Sequence, residues 1–196
     1  MIKRLFDIIF SFFGLIFLFP ILIIIALLIR IESKGSIFYL QKRVGKHNKD
    51  FKIFKFRTMF IGSDKKGLLT LGDKDPRVTK TGFFLRKYKL DEFPQLINVF
   101  IGNMSFVGPR PEVRKYINYY SKEDLIILSV KPGITDYASI EFRDEAELLK
   151  ATNNPEKLYL ESILPKKIAL NKKYINRKNL LIDLSIIFKT FIIIIK

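Results

Sequence analysis

The chain has 196 residues, room for one domain and an anchor but not for two full domains. Hydrophobic residues make up 48% and charged residues 28%, which excludes a disordered chain on the first count and a polytopic membrane protein on the second. A formal net charge of +16 selects polyanionic partners, and the lack of cysteine excludes a disulfide framework and a thiolate metal site.

From Leu5 to Ile29 the chain is apolar except for Asp7, Ser11 and Gly14. As a straight helix this segment is roughly 38 Å long, enough to cross a bilayer. It is too long for a cleaved signal peptide, and no small-residue cleavage pattern follows it. Lys3 and Arg4 precede it, and Arg30, Lys34, Lys42 and Arg43 follow it. Positive charge prefers the cytoplasmic side, so both flanks point there. Pro20 removes a helix hydrogen bond and favours a kink. Two readings stay open at this point: a helix that enters one leaflet and returns, and a spanning helix with a tolerated proline.

Downstream, Ser36 to Leu40 and Phe51 to Thr58 read as strands on either side of the turn-rich stretch Gly45 to Asp50. That turn carries His47, the sole histidine, in a basic stretch that reads as a solvated loop, which argues against a Ser-His-Asp triad and a multi-histidine metal site. Residues 62 to 82 read as a long, glycine-rich, charged loop. Phe83 to Lys89 should be a short helix and Asp91 to Phe100 another, with acids first and Pro94 in its opening turn. Gly102 to Pro111 is a turn-rich connection, and Val113 to Ser129 should be helical until Lys131-Pro132-Gly133. Glu141 to Lys150 and Pro155 to Asn176 carry helical spacing. Leu180 to Ile195 is apolar but interrupted by Asp183, Lys189 and Thr190, which suits an interfacial or packed helix better than a second crossing.

Asp91-Glu92 is the sharpest chemical feature. Adjacent acids at a helix start can serve as a nucleophile, as a general acid or base, and as a hard-metal ligand. The positive helix end would keep Asp91 ionised. The dipeptide alone is explained by helix capping; its neighbours change the reading. Arg86, Lys87 and Lys89 lie just upstream. Downstream, Pro109 and Pro111 fix the backbone on both sides of Arg110, which suits bidentate phosphate binding. Lys55 and Arg57, on one strand face, add positive charge, although a solvated strand face would look the same. A carboxylate among arginines suggests phosphoryl-group transfer, with Mg²⁺ bridging a diphosphate and a carboxylate.

These residues resemble the monotopic phosphoglycosyl transferases among the bacterial sugar transferases. The likeness runs through Lys3-Arg4-Leu5-Phe6-Asp7, Pro20, Gln41 to Gly45 and Phe54 to Met59. It is densest at Leu85-Arg86-Lys87, Leu90 to Val99 and Gly102 to Pro111, and closes at Lys131 to Thr135. The resemblance implies an α+β, mostly helical fold: a re-entrant helix-break-helix anchor over residues 1–34, then a cytoplasmic catalytic domain over 35–196 with membrane-associated helices. It implies that Asp91 attacks the sugar-linked phosphorus of a UDP-sugar and expels UMP. Polyprenyl phosphate then takes the phosphosugar from Asp91, and the product starts a surface glycan. Glu92 would be the dyad partner and a proton acceptor. Arg57, Arg86 and Arg110 would bind substrate phosphates, and Lys55, Gln95, Pro109 and Pro111 would shape the site. Lys3, Arg4 and Pro20 would set the anchor in the inner leaflet, and Asp91 would ligate Mg²⁺. Downstream glycosyltransferases are further partners to expect.

Two departures stand out. Phe19 stands where the family often has Ser, and Asp136 to Arg143 replaces a polar stretch that contacts the sugar, so sugar identity does not carry over. The resemblance also implies the minimal form, with no additional N-terminal domain. A non-catalytic basic membrane-binding scaffold is the rival reading. It accounts for the charge but not for an acid pair set between arginines and a Pro-Arg-Pro turn. Nucleic-acid binding lacks a recognisable motif with stacking aromatics, and the basic block adjoins the apolar segment.

Overall fold

The computed structural model describes residues 1–63 and 75–195. The first element, α1 (Ile2–Glu32), is a continuous 31-residue helix that contains Pro20. Among the described residues it is the one helix long and apolar enough to cross a membrane. No residue leaves the helix at Pro20, so the expected break does not appear as an interruption of secondary structure.

The strands β1 (Phe38–Val44) and β2 (Asp50–Phe56) form an antiparallel hairpin, with Phe38 opposite Phe56 and Val44 opposite Asp50. The first strand thus lies further along the chain than expected, because pairing with β2 decides which residues of the apolar run are used. The hairpin turns through His47 and Asn48, both at positive φ.

Two short helices follow, α2 (Lys80–Lys87) and α3 (Gln95–Ile101). Thr79 caps α2 by accepting from Gly82 N at 2.9 Å. A single 3₁₀ turn, Leu90–Glu92, lies between them, entered through Lys89 in the left-handed conformation. Most of the loop expected over residues 62 to 82 lies outside the described residues.

Parallel strands β3 (Ser105–Val107) and β4 (Gly133–Thr135) pair with Ser105 opposite Gly133 and Val107 opposite Thr135. Here two motifs meet at a backbone crossing. A β-carbon on Gly133 would lie 2.1 Å from Gly108 N, and one on Gly108 would lie 2.5 Å from Lys131 O. Only glycine fits at either position.

The remainder is helical. It comprises α4 (Arg114–Ile117), α5 (Tyr137–Glu141), α6 (Glu145–Lys150), α7 (Pro155–Leu158), α8 (Leu164–Arg177) and α9 (Leu180–Ile195). The long helices expected over 113–129 and 141–150 are broken. Ser121 and Asp124 bond each other's backbone N–H groups, so the first ends as α4 and the chain resumes as a 3₁₀ turn over Asp124–Ser129. Asp136 starts α5 early by accepting from Ser139 N at 2.6 Å, and α6 begins afresh at Glu145. Between α7 and α8 the chain widens into a π turn over Tyr159–Ile163, just before Pro165, which has no N–H to donate. The last helix falls where it was expected.

Several small apolar clusters make up the core. Ile25 and Ile29 of α1 pack with Phe56 and Leu85. Ile53, Val99 and Met104 join the hairpin to α3. Val107, Tyr174 and Ile186 join β3 to α8 and α9.

Polar contacts tie both ends of α1 to this domain. Near its start, Lys3 Nζ donates to Val107 O, Tyr174 Oη and Asp183 Oδ2 at 2.8, 2.8 and 2.6 Å. Arg4 donates to Val99 O at 2.6 Å and Phe100 O at 2.7 Å. The buried Asp7 accepts from Ser105 Oγ and Phe106 N. At the other end, Glu32 accepts from Lys80 N and Thr81 N, and Arg57 donates to the carbonyls of Ser33 and Lys34 at 2.7 Å each. Fully exposed apolar side chains such as Phe17 and Ile31 project from the free side of the helix.

Candidate active site

The site forms where the 3₁₀ turn after α2 meets β2 and the Gly-Pro-Arg-Pro connection. Asn98 sets the distance between them. Its Oδ1 accepts from Phe54 N at 2.9 Å and its Nδ2 donates to Lys52 O at 2.8 Å, so α3 is clamped along β2. Lys55 then reaches the turn, and its Nζ donates to Glu92 Oε1 at 2.9 Å.

Glu92 is held from a second side. Arg110 Nη1 donates to Glu92 Oε2 at 3.1 Å, and Arg110 Nη2 donates to Oε1. The Arg110 backbone is fixed as the flanking prolines imply, with its N–H on Asp136 Oδ2 at 2.9 Å. Burial alone would push the Glu92 carboxyl up, but Arg110 and Lys55 together hold it well below the usual carboxylate range. The same ion pair raises the Arg110 pKa. Burial depresses Lys55, and Glu92 offsets part of that effect.

Asp91 is the opposite case. It is 9% exposed and has no hydrogen bond or ion pair among the described residues. Burial raises its pKa, and the neighbouring Glu92 charge raises it further, against the pull of Lys55, Arg86 and Lys89. What the structure corrects is the placement of the acids at the start of the following helix. The acids sit in their own 3₁₀ turn, ahead of Pro94, and not in the first turn of α3. The dyad therefore holds one committed carboxylate and one unpartnered carboxyl with raised proton affinity.

Not every expected residue reaches the dyad. Arg86 acts on it through charge. Gln95 is 1% exposed, four residues after Asp91, and its amide nitrogen has no partner. Arg57 is occupied elsewhere: its guanidinium caps the end of α1 through Ser33 and Lys34. It had been expected at substrate phosphate, but β2 ends at Phe56, and Arg57 turns to the carbonyls of Ser33 and Lys34 just past α1. Arg110 spends its fork on Glu92, so its first role in this geometry is to hold the dyad.

Two contributors were missed. Asp136 orders Arg110 and caps α5 at once. Arg43 donates to Pro111 O at 3.1 Å and Gln41 Oε1 at 2.8 Å, and lies 3.7 Å from Glu112, bracing the Pro-Arg-Pro turn from β1. The signal for Arg43 was its place in the Gln41 to Gly45 block; Asp136 carried none, being one acid in a segment without a motif.

Among the described residues no group of three or more His, Cys, Asp or Glu could enclose a metal ion. The unpartnered Asp91 carboxyl is a single hard-oxygen donor. That suits Mg²⁺, which commonly takes one or two carboxylates and completes its shell with water and substrate phosphates.

The fold and site thus define a compact domain that carries a buried carboxylate dyad among cations, bound along a long apolar helix. The whole chain, residues 1–196, matches the Bacterial sugar transferase family, and the chain belongs to that family. It is 40% identical over 142 residues to the UDP-N-acetylgalactosamine-undecaprenyl-phosphate N-acetylgalactosaminephosphotransferase of Aeromonas hydrophila, covering 71% of this chain and 34% of that protein. It is 35% identical to the UDP-glucose:undecaprenyl-phosphate glucose-1-phosphate transferase of Escherichia coli, covering 97% of this chain and 39% of that protein. Against the exopolysaccharide production protein ExoY of Sinorhizobium fredii it is 34% identical, covering 96% of this chain and 83% of that protein. The chain therefore spans well under half the length of the first two relatives and most of the third.

Proposed function

We propose that this chain transfers a sugar 1-phosphate from a UDP-sugar to undecaprenyl or another polyprenyl phosphate, through a covalent bond to Asp91, as the first membrane step of surface-glycan synthesis. The observation that carries the reading is the split dyad: Glu92 held ionised by two cations beside an Asp91 that nothing holds. A scaffold has no use for a buried acid without a partner, which costs stability. The names of the relatives supply the substrate classes.

In the first half-reaction an Asp91 carboxylate oxygen forms a bond to the sugar-linked phosphorus. The bond from that phosphorus to the bridging oxygen breaks, and UMP leaves with the electron pair. In the second, an oxygen of polyprenyl phosphate attacks the same phosphorus, and the Asp91 carboxylate departs. Raised proton affinity makes ionised Asp91 a better nucleophile. Glu92 is a weak base in this setting, because Arg110 and Lys55 stabilise its ionised form; we assign it to orienting those cations and to setting the field at Asp91. We assign Arg86, and the N–H groups of Arg110 left free by Glu92 and Ile134, to the donor phosphates. Mg²⁺, held by Asp91 and the diphosphate, would neutralise developing charge on the leaving phosphate.

We further propose that α1 lies in the cytoplasmic leaflet with both ends on the cytoplasmic side, bent near Pro20. This reading draws on the tethers at both ends of α1 and on the flanking positive charge. The test is a panel of UDP-sugars with polyprenyl phosphate and Mg²⁺, scored by UMP release and by mass of the protein quenched before acceptor is added. A protein heavier by one phosphosugar, lost on peptides containing Asp91→Asn, is expected. UMP release with no such adduct would replace the covalent route by direct transfer.

A further inference from the structure

At the far end of α3 from the dyad, two cations converge beside Gly102. Gly102 caps α3 at φ +93 and has no side chain. The position its β-carbon would take lies 3.1 Å from Arg4 Nη2 and 3.3 Å from Lys131 Nζ. Two cationic groups therefore crowd the same side of Gly102. Arg4 is aimed there by its bonds to Val99 O and Phe100 O. The Lys131 backbone is held by the glycine crossing at Gly108. Lys131 Nζ has no hydrogen bond and no ion pair among the described residues. Asp7, the acid that faces it, already accepts from Ser105 and Phe106. Lys46, on the hairpin turn, adds a third positive charge to the same neighbourhood. Burial lowers the Lys131 pKa and Arg4 lowers it further. A bound anion would offset both effects.

The surroundings say which anion. Phe100 and Ile101, next to Gly102 in the chain, are 40% and 55% exposed, and the ring of Phe12 of α1 lies 6.0 Å from that of Phe100, tilted by 30°. Leu5 and Ile8 of the same helix are exposed as well. A soluble phosphate has no reason to seek an apolar rim, whereas a lipid presents its phosphate at the depth where its chains begin.

We propose that Arg4 and Lys131, converging on Gly102, seat the phosphate of an anionic membrane phospholipid. The seat is distinct from the reacting acceptor, because the seven residues of α3, roughly 10 Å at 1.5 Å per residue, lie between Gly102 and the turn that carries Asp91. A bound lipid would fix the start of α1, the end of α3 and the Lys-Pro-Gly turn against the bilayer together. The proposal rests on the membrane placement of α1 and not on the chemistry at Asp91.

The test uses the full chain in nanodiscs of phosphatidylcholine with or without phosphatidylglycerol. Limited acylation with an amine reagent is read at each lysine by peptide mass spectrometry. Adding phosphatidylglycerol should slow labelling of Lys131 by about fivefold, the scale of one basic residue at an anionic surface, and leave Lys150 unchanged. Arg4→Gln should abolish that protection. In a second arm, Lys131→Gln should carry less phosphatidylglycerol through purification in an uncharged detergent, as weighed by mass spectrometry of the extracted lipid. Equal labelling of Lys131 in both nanodiscs would overturn the seat. So would equal protection by soluble glycerol phosphate in detergent, which would make the ligand a free phosphate. Neither readout involves turnover, so failure of the transferase reading leaves this one standing. Failure of the chain to enter either nanodisc would overturn the membrane placement and the seat with it.

Discussion

Replacing Asp91 by Asn separates chemistry from stability. Asp91 is 9% exposed, has no partner among the described residues, and stands beside a Glu92 that Arg110 and Lys55 keep ionised. Its raised pKa means that the folded state binds a proton there more tightly than the unfolded chain does. Above the usual value of 3.8 this group therefore subtracts from stability, and the loss grows as pH rises toward its folded pKa. A buried polar group without a partner costs about 1–3 kcal/mol. Asn removes the charge and can donate to Glu92, so a gain of about 1 kcal/mol is expected, or about 3 °C in Tm for a chain of this size. Turnover should fall by at least about 10³-fold, because an amide cannot form the acyl phosphate. Thermal unfolding in detergent at neutral pH and UMP release from the same preparation check both halves. A variant that is less stable than the parent would show that the Asp91 charge is satisfied in the fold. A variant that still turns over would remove Asp91 from the chemistry.

The other perturbations divide the site further. Glu92→Gln removes the charge that raises Asp91, so the acidic limb of the rate profile should move to lower pH, and an unmoved limb would uncouple the two carboxyls. The same change removes stability that Glu92 supplies above its usual 4.5 and loses as pH falls through its depressed folded pKa, so the variant should be less stable at neutral pH and closer to the parent in acid. Arg110→Lys keeps the charge but not the fork on Glu92, and should lower kcat more than tenfold, roughly the loss of one charge-assisted bond; an unchanged rate would make Arg110 dispensable to the dyad. Cysteines placed singly at Ile2 and Lys34, both exposed, should resist an impermeant thiol reagent in spheroplasts and react after lysis; labelling of position 2 alone before lysis would mean a crossing helix.

What could be read from the chain before its fold was known follows from range. Leu5 to Ile29 declares a long apolar helix because its signal is local, and so does the hairpin around Gly45 to Asp50. That Arg110 is held still was legible because two prolines flank it; that its fork lies on Glu92 was not, since the sequence alone pointed it at substrate phosphate. The occupation of Arg57 was not, since nothing in Phe54 to Met59 says that α1 ends beside it. The broken helices at 113–129 and 141–150 escaped because short side chains, Ser121, Asp124 and Asp136, compete for the backbone without disturbing apolar spacing. Asp136 was hidden for the same reason. Its value appears only when β4 brings it under Arg110.

The two adjacent acids also explain why Arg110 and Lys55 are spent on Glu92 and not on Asp91. If both cations faced Asp91, its ionised form would be stabilised and its nucleophilicity lowered, while Glu92 would be left buried and charged. With the cations on Glu92, the pair carries one negative charge that is fully compensated, and the cost of the second falls on Asp91, the proposed nucleophile. In the proposed reaction the negative charge of a diphosphate would compete with Glu92 for Arg110 and loosen part of the hold on Glu92.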